Sequence, residues 1–242
     1  MASQSVIHMR GVLRNALQRA VKHELVARNV AELADAPRLI RKEIQPFSPD
    51  QARRFLAAAE GDRFEPLWIL AITSGLRQGE LLGLQWGDVD LEAGTVAVNR
   101  SLQRFDGKLQ LAELKTAKSR RRNPLPRMTV DALKRHREGQ VDSGRPPLPT
   151  GFLFTSTTGT ALEPRNVVRA FKALLVKGGL PDIRFHDLRH SAASLLIAQG
   201  VPLRTVMEVL GHSTITLTAN TYAHLFSEAK RDAASAMDRA FA

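Results

Sequence analysis

The sequence contains no cysteine and a single tyrosine, and none of its apolar stretches is long. The lack of cysteine excludes disulfides, thiolate metal sites, iron–sulfur clusters and a cysteine nucleophile, so a metal would need histidine and carboxylate ligands. A transmembrane helix needs about 20 consecutive apolar residues, and no stretch approaches that length. No signal-peptide pattern opens the chain. These absences predict a cytoplasmic protein with no membrane partner.

Positive charge, in contrast, is abundant. The 242 residues include 35 Lys and Arg against 24 Asp and Glu, which gives a formal net charge of +11. Such an excess favours a polyanionic partner and carries no information about fold. An anionic membrane surface would match the charge equally well, but the apolar pattern offers no membrane segment, so nucleic acid is the leading interpretation.

Helical periodicity dominates the chain. It predicts helices over 9–28, from Ser48 onward, over Leu67–Leu84, and over 164–178, 187–199, 202–210 and 227–240. Ser48, Pro49 and Gln51 combine an N-cap, a first-turn proline and a capping-box partner. The Leu67–Leu84 helix should break around Ser74 and Gly75. A proline-containing basic stretch predicts a linker near 36–47.

Alternating residues between about 95 and 126 predict a small antiparallel β-sheet. Asp106 and Gly107 form a turn signal between its first two strands, and Lys115 falls at the second turn. The fold class predicted from these patterns is α+β, mainly α-helical.

The stretch FHDLRHSAAS, residues 185–194, places two histidines four residues apart. On a helix His186 and His190 share a face, as in metal-binding helices, but Arg189 shares that face too. A fixed cation disfavours a divalent metal, whereas a histidine one turn from an arginine suits a phosphate. Leu188 and Leu195 lie on the opposite, apolar side. A solvated polar face is the alternative interpretation.

Four further residues are candidates for chemistry, although each has a simpler explanation when taken singly. Arg77, followed by Glu80, is also explained as a surface arginine, and Lys115 as part of an exposed basic turn. His212 fits a helix-end histidine that bonds the last carbonyls. Tyr222 fits a core tyrosine.

Together, these segments resemble the tyrosine recombinase or phage integrase family. The resemblance runs from about residue 9 to 226 and rests on ALQRAVKHELVARNV, TSGLRQGELLGLQWGDVDL, KTAKSRRRNPLP, FHDLRHSAAS and LGHSTITLTANTYAHL. It implies that the scissile DNA phosphate is surrounded by Arg77, Lys115, His186, Arg189 and His212, with Tyr222 as the nucleophile. It also implies a tyrosine recombinase catalytic fold over 45–242, preceded in 1–44 by the C-terminal remnant of a helical core-binding domain and a linker.

The resemblance assigns supporting roles as well. Glu80 matches an acidic position behind Arg77, and His190 matches a position that the family often fills with histidine without using it in chemistry. Lys115 is the expected proton donor to the leaving 5′ oxygen. Lys118, in the same turn, is a second candidate for that role.

The implied activity is site-specific DNA recombination, as in prophage or mobile-element integration and excision. A covalent 3′-phosphotyrosyl ester conserves the energy of the phosphodiester, and two arginines stabilise the transition state without a metal ion or other cofactor. The expected assembly is a homotetramer on DNA attachment sites, with an accessory directionality or DNA-bending protein as a further partner. The expected location is the nucleoid of a bacterial or phage-infected cell.

Three alternatives compete with this interpretation. A noncatalytic DNA-binding remnant would keep the fold and the basic surface but form no covalent adduct. A zinc hydrolase built on His186 and His190 would want a glutamate where Asp187 stands and a third ligand downstream. A type IB topoisomerase would share the tyrosyl chemistry.

Overall fold

The computed structural model describes residues 3–38, 45–114, 120–144 and 146–211. The chain divides into two compact units, Met1–Glu43 and Ile44–Ala242. The helix predicted over 227–240 lies outside the described residues.

The first unit is built on helix α1, Ser3–Lys22, followed by a short 3₁₀ turn at Val30–Glu32. The sequence predicted this helix over 9–28, so both ends of that prediction were wrong. Glu24 adopts a left-handed conformation, with φ of 58°, and the Leu25 amide donates to the Ala20 carbonyl at 2.9 Å. This closing turn ends the helix even though the apolar spacing continues beyond it.

The second unit holds seven further α-helices in the described residues. They are α2 (Pro49–Ala59), α3 (Glu65–Ser74), α4 (Gln78–Leu82), α5 (Arg127–Asp142), α6 (Pro164–Lys177), α7 (Asp187–Ala198) and α8 (Leu203–Leu210). The capping box predicted for α2 is confirmed, because Ser48 Oγ accepts from the Gln51 amide at 3.2 Å and Gln51 Oε1 accepts from the Ser48 amide at 2.9 Å.

The predicted break in the buried helix is also confirmed. Helix α3 ends at Ser74, and Gly75 caps it in the left-handed region with φ of 60°. Helix α4 then begins directly after Arg77, which serves as its N-cap residue. The break therefore directs the chain so that Arg77 stands at the start of a new helix.

In the described residues, five short strands form two antiparallel sheets. They are β1 (Val89–Asp90), β2 (Thr95–Val98), β3 (Arg100–Phe105), β4 (Lys108–Glu113) and β5 (Arg121–Pro124). Strands β1, β2 and β5 form one sheet, while β3 pairs only with β4. The turn predicted at Asp106 and Gly107 is confirmed, and both residues have positive φ, as a tight hairpin requires. The single antiparallel sheet predicted from the sequence is thus divided between two sheets.

Helix α5 was not predicted from the sequence. Only three of its residues, Thr129, Ala132 and Leu133, are buried, and charged residues occupy much of the rest. The apolar stripe is therefore too narrow to stand out as a periodic pattern.

An aromatic cluster forms the centre of the second unit. The Trp68 ring on α3 lies 6.0 Å from that of Phe171 on α6 and 6.1 Å from that of Phe185, just before α7 (centroid distances). A smaller cluster of Ala193, Val206 and Leu210 joins α7 to α8. The α+β, mainly helical fold class is confirmed. None of the helices in the described part of the chain combines the length and apolar character of a membrane span.

Candidate active site

The first turn of α7 places Arg189 inside the protein. Arg189 is only 3% exposed, and its Nη1 donates to the carbonyl of Gly75 at 2.7 Å. The alternative of a solvated polar face is therefore wrong for this residue. Because Gly75 lies two residues before Arg77, this bond connects the two arginine-bearing segments of the site.

His190 on α7 lies one turn after His186, the N-cap residue of that helix, with the two ring centroids 5.3 Å apart and the ring planes nearly perpendicular. Burial lowers the pKa of His186, and the positive charges of Arg189, Arg184 and Arg77 lower it further against the opposing effect of Asp187. Burial and the neighbouring His186 lower the pKa of His190 to about 4. Both imidazoles are therefore neutral near pH 7.

The start of α7 is fixed by an ion pair. Asp187 accepts hydrogen bonds from the Arg184 amide and the Arg184 Nη2, both at 2.8 Å. Burial alone would raise the pKa of Asp187, but the hydrogen bonds and charge of Arg184 outweigh it and hold that pKa below its ordinary value. The carboxylate thus stays charged and orients the turn that carries His186.

Glu80 holds Arg77 in place from within α4. Glu80 Oε1 accepts from Arg77 Nη1 at 2.7 Å, and Glu80 Oε2 accepts from the Arg77 amide at 3.0 Å. Glu80 is 1% exposed, whereas 43% of the Arg77 side chain remains exposed. A buried carboxylate thus orients a guanidinium whose outer part remains open to a ligand.

A second arginine, which sequence reasoning did not single out, shares the same carboxylate. Arg121 Nη2 donates to Glu80 Oε2 at 2.8 Å, and the Arg121 side chain is only 8% exposed. Burial would raise the pKa of Glu80, but Arg121 and Arg77 outweigh it and lower that pKa. Arg121 lies in the run SRRR, where composition alone does not distinguish one arginine from the next.

The end of α8 lies against this ion-pair cluster. The Val209 carbonyl accepts from Arg121 Nε at 3.0 Å and from Asn123 Nδ2 at 2.7 Å, and the Gly211 carbonyl accepts from Arg77 Nη2 at 3.3 Å. Gly211 itself is left-handed, with φ of 68°. Helix α8, helix α4 and strand β5 are thus fastened to one another beside Arg77.

Of the six predicted catalytic residues, the structure describes three, namely Arg77, His186 and Arg189, and it brings them to one region. Lys115, His212 and Tyr222 lie outside the described residues, as does Lys118. Described residues adjoin Lys115 and His212 in the sequence. Strands β4 and β5 lie on either side of residues 115–119, and Gly211 immediately precedes His212.

The arrangement suits an anion better than a metal ion. Two guanidiniums and a neutral imidazole come close enough that both arginine charges affect the pKa of His186. Arginine's planar donors match phosphate oxygens, and fixed donors of this kind stabilise developing negative charge. Within the residues that the structure describes, no three His, Cys, Asp or Glu side chains come together as a metal cluster. The expectation of no metal and no cofactor stays a prediction.

Comparison with known proteins identifies a consistent set of relatives. Residues 45–229 match the model of the phage integrase family. The chain is 35% identical over 218 residues to a XerC-like tyrosine recombinase of Caldanaerobacter subterraneus subsp. tengcongensis, covering 84% of this chain and 56% of the relative. It is 28% identical over 244 residues to the ICEBs1 integrase of Bacillus subtilis, covering 98% of this chain and 66% of that integrase. The chain thus spans between about half and two thirds of these relatives' lengths.

Solved structures show the same relationship. The integrase of the Tn1549 transposon, solved in complex with transposon right-end DNA, superposes with a TM-score of 0.83 at 26% identity, covering 100% of this chain and 81% of that one. A lambda integrase dimer bound to a core site gives a TM-score of 0.62 at 19% identity, over 91% of this chain and 64% of the other, which shows the shared fold alone. The described residues of the second unit therefore have the tyrosine recombinase catalytic fold.

Proposed function

The chain belongs to the phage integrase family of tyrosine recombinases, and we propose that it catalyses site-specific DNA recombination through a 3′-phosphotyrosyl intermediate. The relatives named above include integrases of mobile elements, so the proposed setting is the integration or excision of such an element. The observation that most supports the proposal is the pairing of two anchored arginines, one held by Glu80 and the other by the Gly75 carbonyl.

In the proposed reaction, the Tyr222 hydroxyl attacks the scissile phosphorus and loses its proton as the new ester forms. The bond from phosphorus to the 5′ oxygen breaks, and that oxygen leaves as a hydroxyl after it gains a proton. A 5′ hydroxyl from the partner strand then attacks the phosphotyrosine and regenerates Tyr222. The number of phosphodiester bonds is conserved, so no ATP is needed.

Each described side chain has a role that fits its environment. Arg77 and Arg189 donate hydrogen bonds to the nonbridging oxygens, where negative charge grows in the transition state. His186, neutral because its pKa is lowered, accepts the proton of Tyr222. Glu80 orients Arg77.

The remaining proposed roles belong to Lys115, Lys118 and His212, which lie outside the described residues. Lys115 donates the proton to the leaving 5′ oxygen, with Lys118 as the competing candidate. His212 donates a hydrogen bond to the phosphate. The partner is double-stranded DNA at attachment sites in the nucleoid, where four copies of the chain assemble, and an accessory directionality or DNA-bending protein sets the outcome.

Covalent capture tests the proposal. The substrates are overlapping nicked duplexes that together cover the genomic DNA on both sides of the coding sequence. Cleavage near the nick releases a short fragment with a 5′ hydroxyl, which diffuses away, so the protein–DNA adduct is trapped. Wild type should form a protein–DNA adduct on a denaturing gel, with or without EDTA. Tyr222→Phe should form none while binding DNA normally, since only the nucleophilic oxygen is removed.

Matched variants extend the capture experiment to the other roles. Arg77→Ala and Arg189→Ala should slow adduct formation by on the order of 100-fold or more. The control Arg204→Ala, at an exposed arginine paired with Glu208 on α8, should leave the rate of adduct formation unchanged.

Lys115→Ala should regain its rate of adduct formation when sulfur replaces the bridging 5′ oxygen, because a thiolate leaves without a proton. Equal adduct from wild type and Tyr222→Phe would refute the assignment, and no adduct from wild type would favour a noncatalytic DNA-binding remnant.

A further inference from the structure

Arg121 connects three segments that carry proposed catalytic residues. Through Glu80 it meets the helix that begins after Arg77, and through the Val209 carbonyl it meets the end of α8, two residues before Gly211 and three before His212. Its own strand, β5, begins two residues after the undescribed residues 115–119, which include Lys115. Among the described side chains of the site, Arg121 shares this pair of contacts with Arg77, which also bonds to Glu80 and to the Gly211 carbonyl at the end of α8.

The strand register explains why this arginine, of the three in succession, points inward. In the antiparallel pair of β2 and β5, Arg121 lies opposite Val98 and Asn123 lies opposite Val96. Val96 and Val98 are fully buried, and directly opposed residues share a face of the sheet. Arg122, one residue along, lies opposite Ala97 on the other face and is exposed.

The geometry uses the shape of the guanidinium as well as its charge. Nε donates to the Val209 carbonyl while Nη2 donates to Glu80 and Nη1 reaches the other oxygen of the same carboxylate at 3.4 Å. A lysine in this place has one nitrogen on a flexible stem, so it cannot reproduce the planar fork. The packing is close as well, because a Cβ on Gly211 would lie 2.8 Å from Arg121 Nη1.

We propose that Arg121 is a positioning residue for DNA cleavage, which acts through Glu80 on Arg77 and through the Val209 carbonyl on the segment leading to His212. This inference rests on the proposed function. The described contacts of Arg121 are with Glu80 and the Val209 carbonyl, so the proposal places its effect on Arg77 and on α8 rather than on the phosphate itself. It fixes the same Glu80 carboxylate that accepts from Arg77, so that the Arg77 guanidinium is held where the transition state needs its donors.

A double-mutant cycle on single-turnover cleavage tests this role. Arg121→Lys should slow adduct formation by on the order of 10- to 100-fold at saturating protein, with the dissociation constant for DNA changed by less than about 3-fold. The matched control, Arg122→Lys on the outer face of the same strand, should leave the cleavage rate unchanged. In an Arg77→Lys background, Arg121→Lys should have little further effect, because residues that act as one unit are not additive.

Hydrogen–deuterium exchange provides a readout that does not depend on cleavage. Peptides covering 203–211 should exchange faster in Arg121→Lys than in wild type, and Arg122→Lys should match wild type. If Arg121→Lys fails to fold, Asn123→Ala removes the other donor to the Val209 carbonyl while keeping the ion pair, and it should show the same faster exchange with a smaller loss of cleavage.

The outcomes separate the two proposals. Any one of four results would overturn the role of Arg121. Two concern Arg121→Lys alone: unchanged exchange in 203–211, or an unchanged cleavage rate. The others are an equal loss of cleavage rate in Arg122→Lys, or full additivity of Arg121→Lys with Arg77→Lys. Faster exchange in Arg121→Lys, together with a wild type that forms no adduct on any duplex, would refute the proposed recombination while leaving the connecting role of Arg121 in place.

Discussion

Gly75 shows how much of the site depends on a single residue without a side chain. Its left-handed conformation ends α3, and its carbonyl accepts the bond from Arg189. A Cβ built on Gly75 would lie 2.4 Å from Leu210 Cδ2 and 3.3 Å from Ala192 Cβ. Helices α7 and α8 thus occupy the space that any other residue would need.

Gly75→Ala should therefore destabilise the fold more than a matched glycine replacement. Gly61 has a similar positive φ, of 71°, but nothing lies within 4 Å of its Cβ position. Both replacements carry the left-handed penalty of roughly 1–2 kcal/mol, and Gly75→Ala adds overpacking of typically 1–3 kcal/mol. Urea unfolding should show a lower free energy of unfolding for Gly75→Ala than for Gly61→Ala. Equal values would contradict the overlap seen at Gly75.

At the scale of elements, α7 combines a charged start with a neutral histidine pair. Asp187 and Arg184 fix its first turn, while His190 faces His186, Asp187, Arg189 and Arg184. Burial and these neighbours lower the pKa of His190 to about 4 from an ordinary value of 6.5. Folding therefore opposes protonation of this imidazole.

The stability of the second unit should consequently fall with acidification. Because the folded pKa of His190 is lower than the unfolded one, its neutral form contributes full stability above pH 6.5, and that contribution is lost as the pH falls towards about 4. His190→Asn, which cannot take up the proton, should flatten the loss in this window. Urea unfolding at several values between pH 7.5 and 4.5 measures it. Parallel pH profiles for wild type and variant would contradict the assignment.

Elements with local signals were predicted from the sequence, and elements that depend on distant contacts were not. The capping box of Ser48, the break at Gly75 and the turn at Asp106 are set by neighbouring residues, so their patterns are visible in the sequence. The inward direction of Arg121 depends on pairing with a strand more than twenty residues earlier. A shift of one residue in that register would have buried Arg122 instead.

The candidate site follows the same division. The family resemblance selected Arg77, His186 and Arg189, and the structure brings them together. It did not indicate that Arg189 would be 3% exposed, or that Glu80 would be shared by two arginines. Periodicity placed Arg189 on a polar face, and the structure turns that residue inward, where it bonds to the carbonyl of Gly75 at the end of α3.

At the scale of the whole molecule, the net charge of +11 predicts how the proposed DNA binding depends on salt. Each phosphate neutralised by Lys or Arg releases bound counterions, so affinity falls steeply as salt rises. For about 6–10 phosphate contacts, affinity should fall by roughly 10³- to 10⁵-fold between 50 and 200 mM salt. Titration of a labelled duplex at several salt concentrations measures the slope. A slope near zero would contradict a binding surface built on phosphate contacts.

The burial of Glu80 between Arg77 and Arg121 also constrains how such a gene can decay. Removing one member of a buried ion pair typically costs about 3–5 kcal/mol, a large share of the roughly 5–15 kcal/mol that holds a domain folded. Consider a copy of the gene that is no longer selected for the proposed DNA cleavage. Selection would still remove variants that lose Glu80, for as long as the folded protein was useful or its misfolding was harmful. Among descendants of one ancestral gene, positions 80 and 121 should therefore mutate together and late, after catalytic positions whose replacement leaves folding intact.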